Sequence, residues 1–509
     1  MAAPSFHEEE ALGKAYDSRL MKRLLTYVRP YRWAVVVAVV LLVIMSTLQV
    51  AVPYLTQTAI DDYITPGDLD GLSMLAIVFA VVMILHAVVR FSQAYLTAWL
   101  GQKVLHDIRL QLFTHMQRVH LGFFDRNPVG RLLTRVTNDV NTLNEMFSSG
   151  VVTIIGDILT LGLIVGALLY YNWQLALITF TVIPLLVGAT FVFRSRVRNV
   201  YRDVRLRLAR LNAFVQEHVT GIKVVQLFNQ EKRTFKDFET INADLRGAHL
   251  RGIYYYAIFF PTVEVIGTLS IALLLYYGGF RVESGTLTFG ELVAFITLVE
   301  MFYRPIRDLS EKYNVLQASM ASSERIFQLL DTQPAIVDAP NVKTLPEFTG
   351  RIDIENLWFA YNDDDWVLKD VSFEVKPGEK VAIVGATGAG KSSLISLLLR
   401  YYDYQKGSIK FDGVDLKELS VGEVRSHLAL VLQDVFLFSG DIAGNVRLRE
   451  GDIPDEEVKS ALSRVGFDRF LDNFPDGIQT EIRERGATLS TGQKQLLSFA
   501  RALAFDPDI

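Results

Sequence analysis

Six stretches of this 509-residue sequence are each long and apolar enough to cross a lipid bilayer: Trp33–Tyr54, Leu72–Ala98, Phe147–Tyr171, Leu175–Phe193, Ala257–Gly279 and Leu287–Ile306. A hydrocarbon core takes a helix of about 20 residues, and every backbone polar group inside it must be satisfied within the segment. Runs this continuous argue for a bundle of membrane helices over an ordinary buried core. Half the residues are hydrophobic, yet 21% are charged, which suits a membrane domain joined to a soluble one.

Loop charges orient the bundle. Leu55–Gly71 carries Asp61, Asp62, Asp68 and Asp70 with no Lys or Arg, the third-to-fourth connection is essentially Asn172 and Trp173, and the fifth-to-sixth has Arg281 as its only positive charge. Lys103, Arg109, Arg118, Arg126, Arg131 and Arg135 crowd the second-to-third connection, and seven arginines from Arg194 to Arg210 open the fourth-to-fifth. The positive-inside rule therefore places both termini in the cytoplasm and requires an even number of spans. The two basic connections read as helices running out of the membrane, with short transverse helices at tips near Asn127-Pro128 and Gly221. Residues 1–32 are no signal peptide. Leu20–Val28 mixes basic and apolar residues at helical spacing, as a helix on the membrane surface or a solvated one.

The net charge of −5 points to no nucleic-acid partner, and the lack of cysteine excludes disulfides and thiolate metal sites. Near Asp331 the chain changes character. Pro334, Pro340 and Pro346 mark 332–348 as a linker, and β-rich runs come after it at Arg351–Leu357, Val371–Val375 and Lys380–Val384.

The last of these leads into Gly385-Ala-Thr387-Gly388-Ala389-Gly390-Lys391-Ser392-Ser393 and then an apolar helical run. Strand, G-x-x-x-x-G-K-S loop and helix together form the context of a phosphate-binding loop. The glycines let backbone N–H groups turn toward one phosphate cluster, and the helix N-terminus adds its dipole. Lys391 is expected to reach the β- and γ-phosphates, and the Ser392 hydroxyl to ligate Mg²⁺.

With these features the chain resembles the ATP-binding cassette exporters over nearly its whole length. The resemblance implies that Tyr361, in Phe359-Ala-Tyr361, stacks on adenine, although alone it also reads as an ordinary strand residue. It implies that Gln433 of Leu430-Val-Leu-Gln433-Asp434 touches Mg²⁺ or the attacking water. Thr480–Gly486 resembles the exporters' X-loop. Leu489-Ser490-Thr491-Gly492-Gln493 resembles the family signature, which meets the γ-phosphate of ATP held by the partner subunit. A Ser and a Gly at a helix N-terminus make an anion site on physical grounds; Thr491 departs from the commoner Gly. Phe123–Gly130 with Arg135–Asp139, and Glu217–Phe228, look like the two intracellular loops that couple the domains.

The family's next elements, a strand ending in Asp-Glu, a D-loop and a switch His, have no counterpart before Ile509, so the sequence reads as an incomplete piece unable to hydrolyse ATP by itself. Asp157 and Glu264 lie within spans, where a carboxylate is costly; each is a substrate contact, a polar lock between helices or a protonated carboxyl. His86 and Arg90 belong near the inner boundary. Glu300 with Arg304, and Arg307 with Glu311, are spaced as structural i, i+4 pairs.

The expected architecture is an α-helical membrane domain of six long transmembrane helices (33–331) of the type I or type IV ABC exporter fold. An amphipathic cytoplasmic segment (1–32) precedes it. The linker comes next, then an α/β P-loop nucleotide-binding domain (349–509) truncated before its Walker B strand. The implied function is ATP-driven export of amphipathic drugs or lipids by alternating access, with ATP and Mg²⁺ as cofactors. The implied setting is one subunit of a homodimer or heterodimer in a bacterial plasma membrane. A largely non-hydrolytic, regulatory half of a heterodimeric transporter and an ATP-gated channel remain as alternatives.

Overall fold

The computed structural model describes residues 17–345, 347–362, 365–448 and 453–509, without the side chains of 149–151, 304–311, 313, 314 and 484. The chain divides into two compact units, one within Met1–Gln111 and Arg135–Phe327, the other from Leu112–Thr134 and Gln328–Ile509.

The first eleven helices are α1 Ser18–Val28, α2 Arg32–Thr58, α3 Leu69–Arg118, α4 Leu121–Arg126, α5 Val129–Thr134, α6 Val140–Glu145, α7 Val152–Phe180, α8 Ile183–Thr220, α9 Ile222–Leu227, α10 Glu231–Glu283 and α11 Phe289–Leu330. Among the described residues four helical runs, Ser18–Ile64, Leu69–Arg118, Val129–Phe180 and Glu231–Glu283, are long and apolar enough to cross a membrane. At 1.5 Å per residue the 50 residues of α3 extend about 75 Å, more than twice a hydrocarbon core of about 30 Å. The expected turn at Asn172 is a break inside α7, where φ is −160° and ψ 102°. The Asn172 amide oxygen accepts the N–H groups of Gln174 and Leu175, both at 3.1 Å, and so caps the next helical stretch. The fourth expected stretch, Leu175–Phe193, is interrupted at Thr181 and Val182; α8 restarts with Pro184 in its first turn.

Ile164 and Leu168 of α7, Val263 and Leu274 of α10 and Phe295 and Val299 of α11 form the apolar core of this bundle. Buried hydroxyl pairs fasten it: Ser46 with Thr160 at 2.8 Å, and Tyr303 donating to Ser270 at 3.0 Å. On α3, Val81, Ile84, Val88, Phe91 and Tyr95 recur at three- and four-residue spacing and are all exposed, as a lipid-facing stripe would be.

Lys312 of α11 donates to the carboxylate of Asp157 on α7. The pairing is the contact that a polar lock between helices would make. Glu264 lies exposed on α10, and among the described residues no ion pair reaches it. His86 is half-buried and Arg90 exposed on α3. The side chains of Arg304, Arg307 and Glu311 lie outside the described residues, and with them the two pairs expected there. Helix α1 packs against the bundle along one side and is exposed along the other. Its Leu24 is fully buried, Arg23 lies 4.2 Å over the Phe327 ring, and Tyr27 bonds to Gln111 of α3. Along the basic extensions, Val200 and Val204 of α8 pack on Leu245 and Ala248 of α10. Beside them Asp203 accepts Arg207 at 3.0 Å and also Arg251. Partial burial raises the Asp203 pKa, but these two bonds outweigh it and hold the carboxyl below its usual range.

The second unit is built on a four-stranded sheet of order β2-β1-β3-β4, antiparallel throughout. Its strands are β1 Ile352–Ala360, β2 Trp366–Val375, β3 Lys406–Phe411 and β4 Val414–Asp415. Ile352, Ile354, Phe359, Ile409 and Phe411 point into a core closed by Leu394 and Leu397 of helix α12, Lys391–Leu398. Beyond β4 come the helices α13 Val421–Ser426, α14 Ile442–Arg447, α15 Asp455–Arg464, α16 Asp468–Leu471 and α17 Thr491–Ala504, with a small pair of β5 Gly440–Asp441 and β6 Glu481–Ile482. Ala443, Val458, Leu462, Leu497 and Ala500 form a separate core among α14, α15 and α17.

One expectation fails here. Lys380–Val384 is not a strand, and Val384 is 87% exposed. A strand meant to be buried on both faces exists only through its ladder, and among the described residues no strand lies beside it. For the same reason Leu430–Leu432 is irregular, although Ala429 N–H donates to Ile509 O at 3.0 Å and Ile509 N–H to His427 O at 3.1 Å. Among the described residues the ladders are antiparallel, and Lys343 with Leu419 forms an isolated parallel bridge. In the linker, Lys343 N–H donates to Glu418 O at 2.9 Å and Leu345 N–H to the Glu423 carboxylate at 2.8 Å. Pro346 lies outside the described residues.

Candidate nucleotide site

The loop from Gly385 to Gly390 takes its shape from two left-handed glycines, Gly388 at φ +87° and Gly390 at φ +86°. At Gly390 the space decides as well, since a Cβ there would fall 2.7 Å from Leu368 Cδ2 on β2. The turn therefore seats tightly on the sheet while its outer face, Gly385 to Ala389 with Thr387, stays exposed. Lys391 curls over it and donates from Nζ to the carbonyls of Gly385 and Ala386, both at 2.9 Å. Of the loop N–H groups, that of Ala389 is taken by Ala386 O at 3.1 Å. The N–H of Leu394 is the first in α12 to find a helical acceptor, Gly390 O at 3.0 Å. The N–H groups of Lys391, Ser392 and Ser393 thus lead the helix without intrahelical partners.

The two serines part company. Ser392 is exposed at the helix start, whereas Ser393 is buried and accepts the Tyr361 hydroxyl at 3.0 Å. The expected adenine platform and the phosphate loop are thereby joined directly. Tyr361 stands edge-on to Phe359 (4.8 Å between centroids) and to Tyr402 (5.0 Å).

Tyr402 is a residue that sequence reasoning missed. Its hydroxyl donates to Asp125 of α4, Arg126 donates to the Tyr361 carbonyl at 3.2 Å, and a Cβ on Gly122 would lie 2.9 Å from Tyr402 Cε1. The tip of the first basic connection thus sits against the Tyr361 backbone, inside the second unit. Burial, then the Asp125 carboxylate, push the Tyr402 pKa well up, so the phenol keeps its proton. At the same tip His120 Nδ1 accepts the Ala335 N–H at 3.1 Å. Burial and the neighbouring Arg126 charge hold that imidazole below its ordinary 6.5.

Ser490 and Gln493 form a complete capping box on α17. Ser490 N–H donates to the Gln493 amide oxygen at 2.8 Å, and Gln493 N–H to Ser490 Oγ at 3.3 Å. The Gln493 side chain is spent on the cap, while Ser490 and Gly492 are exposed. Gln433 lies exposed in a bend after Leu432. Among the described residues no hydrogen bond joins Gln433 or Ser490 to the phosphate loop. Arg501 of α17 spans the gap between their segments, donating to Asn445 O at 2.9 Å and Phe436 O at 3.3 Å, and burial lowers its pKa.

The donor set fits a polyphosphate: leading helix N–H groups, an ammonium at the loop mouth and a hydroxyl beside it. Comparison with known proteins gives matches along both units. The transmembrane region of ABC transporters matches residues 35–306, and the ABC transporter family matches residues 368–509. The ABC transporter ATP-binding protein YknV of Bacillus subtilis is 36% identical over 506 residues, covering 99% of this chain and 84% of that protein. An ATP-dependent lipid A-core flippase of Syntrophus aciditrophicus is 32% identical over 484 residues, covering 95% of this chain and 80% of its own. The B. subtilis protein YgaD, provisionally named a multidrug export ATP-binding/permease protein, is 32% identical over 497 residues, covering 96% and 86%.

Proposed function

Because the chain belongs to the ABC transporters, ATP-binding proteins of the membrane, we propose that it is one subunit of a dimeric exporter that moves amphipathic substrates, drugs or lipids, at the expense of ATP. The substrate class rests on relatives named for lipid A-core flipping and multidrug export. In this reading the bundle crosses the membrane six times with both termini in the cytoplasm. The capped break at Asn172 and the restart at Ile183 support that count, and the arginine asymmetry supports the orientation.

Each proposed site residue has a separate task. Lys391 and the N–H groups of Lys391, Ser392 and Ser393 neutralise and orient the β- and γ-phosphates, with Gly385, Thr387, Gly388, Ala389 and Gly390 forming the cradle. Tyr361 stacks on the base, which contributes on the order of 1–3 kcal/mol. Mg²⁺, when bound, shields the phosphate charge; the Ser392 hydroxyl and the Gln433 amide oxygen are its proposed protein ligands. Ser490 and Gly492 offer the start of α17 to the nucleotide of the second subunit, and Gln493 keeps that helix end in shape through its cap.

The observation that carries the reading is Lys391 poised over a glycine-shaped loop that is bonded through Ser393 and Tyr361 toward the α4 tip. The test is ATP-dependent accumulation of a fluorescent amphipath in inside-out vesicles from cells expressing the gene. Accumulation lost with Lys391→Ala is expected. Accumulation that ignores this substitution contradicts the proposal.

A further inference from the structure

A hollow of about 410 Å³ opens where α1 meets α2, lined by Thr26, Arg29, Pro30 and Arg32. Pro30 fixes φ and removes an N–H, and the chain passes from Val28 to Arg32 through a single 3-10 turn, Arg29–Tyr31. In such a turn residues i and i+3 eclipse, so Arg29 and Arg32 leave the helix on one side. Both are exposed, and among the described residues neither guanidinium is paired with a carboxylate. The nearby Asp107 is engaged elsewhere, by the Tyr31 hydroxyl at 2.8 Å. Thr26 has already given its hydroxyl hydrogen to Arg23 O at 2.6 Å. The hollow thus presents two cationic forks. Like charges held side by side repel one another unless an anion lies between them.

The start of α2 sets the depth of this pair. Trp33 is 73% exposed, and Val36, Val37 and Val40 continue its face along α2 at helical spacing. Such a stripe faces lipid, and an exposed Trp at its end marks the interface between acyl chains and headgroups. Arg29 and Arg32 therefore stand within a turn of that boundary, at the level of lipid phosphates. Planar guanidinium forks suit phosphate oxygens bidentately, and the apolar stripe below suits the acyl chains of the same molecule.

We propose that Arg29 and Arg32 form a binding site for the phosphate headgroup of an anionic phospholipid, whose acyl chains lie along Trp33, Val36 and Val40. A lipid held there pins the junction of α1 and α2 at the bilayer surface. The inference needs only the membrane embedding of the chain and is independent of how the nucleotide site works.

The test uses the purified full chain in neutral detergent, with retention of short-chain phosphatidylglycerol and short-chain phosphatidylcholine measured by native mass spectrometry. Phosphatidylglycerol is expected to bind more tightly. A charge near the membrane surface is worth about fivefold, so Arg29→Gln with Arg32→Gln should weaken phosphatidylglycerol about 25-fold while barely changing phosphatidylcholine. Arg29→Lys with Arg32→Lys should keep part of the affinity and controls for folding. Excess inorganic phosphate should not displace the lipid, because it lacks the acyl contacts. Equal phosphatidylglycerol retention by the parent and the double glutamine variant would overturn the proposal. Full displacement by inorganic phosphate would overturn it too, since the site would then be one for soluble anions.

Discussion

The hydroxyl of Tyr402 donates to the carboxylate of Asp125, joining residues 277 positions apart, and next to it Arg126 holds the carbonyl of Tyr361 at 3.2 Å. Asp125 belongs to the tip between α3 and α5, whereas Tyr402 lies just beyond the phosphate-loop helix α12. One short helix therefore touches both the ring beside the proposed adenine platform and that platform's backbone.

Removing the acceptor should loosen this contact without unfolding either partner. Asp125→Ala is expected to cost about 1 kcal/mol, the usual net worth of an exposed hydrogen bond. Gly122→Ala should cost more, because its Cβ would meet Tyr402 at 2.9 Å. Amide hydrogen exchange across residues 121–126 provides the measurement. Faster exchange there is expected in both variants, with the core around Phe359 and Phe411 unchanged; unaltered exchange would show that the tip is not held by Tyr402.

Gly390 is the least replaceable loop residue. Alanine there combines a left-handed backbone, about 1–2 kcal/mol, with a contact 2.7 Å from Leu368. Gly390→Ala should lower the melting temperature and weaken nucleotide binding together. Gly388→Ala meets nothing within 4 Å, so it should carry only the backbone cost, and a thermal melt distinguishes the two.

The ion pair between α7 and α11 calls for a double-mutant cycle. Asp157→Asn leaves the Lys312 ammonium, 17% exposed, without its anion, itself 31% exposed, and the loss should fall between the roughly 0–1 kcal/mol of an exposed pair and the roughly 3–5 kcal/mol of a fully buried one. Adding Lys312→Met removes the stranded charge and should restore most of the loss, as read by thermal aggregation in detergent. A double variant no more stable than Asp157→Asn would show that the pair does not hold the helices.

Acid should undo the tie between the hairpin and the linker. His120 accepts the Ala335 N–H only when its Nδ1 is unprotonated, and its folded pKa lies below the ordinary 6.5. The unfolded state then binds more protons as pH drops, so this contribution is intact above 6.5 and lost as pH falls through and below it. His120→Gln should flatten that part of the stability profile. An unchanged profile would mean that another group titrates there.

The two units were legible to different depths. Apolar runs such as that along α3 announce themselves because the bilayer forbids alternatives, and the turn at Asn172 shows in the residue types that cap helices. The loop around Gly388 and Gly390 is equally local, since its angles demand glycine. Lys380–Val384 misled for the opposite reason, because its composition suits a buried strand but a strand is made by its neighbours. Asp157 with Lys312, 155 residues away, and Asp125 with Tyr402 escaped because a pair made by packing leaves no local spacing to read. Ser490 and Gln493 fall between these cases: the capping box is written in sequence, but its claim on the Gln493 side chain appears only in the geometry.

The central claim, that Lys391 and its loop hold the nucleotide, is tested most directly by equilibrium binding of MgATP to the purified chain in lipid nanodiscs, with Lys391→Ala and Tyr361→Ala alongside. Charge-assisted bonds of about 1.5–3 kcal/mol imply roughly 10- to 100-fold weaker binding without the Lys391 ammonium. Tyr361→Ala should weaken MgATP but leave inorganic triphosphate unaffected, because only the base stacks. If MgATP binds Lys391→Ala as tightly as the parent chain, the nucleotide is held elsewhere and the central claim is wrong.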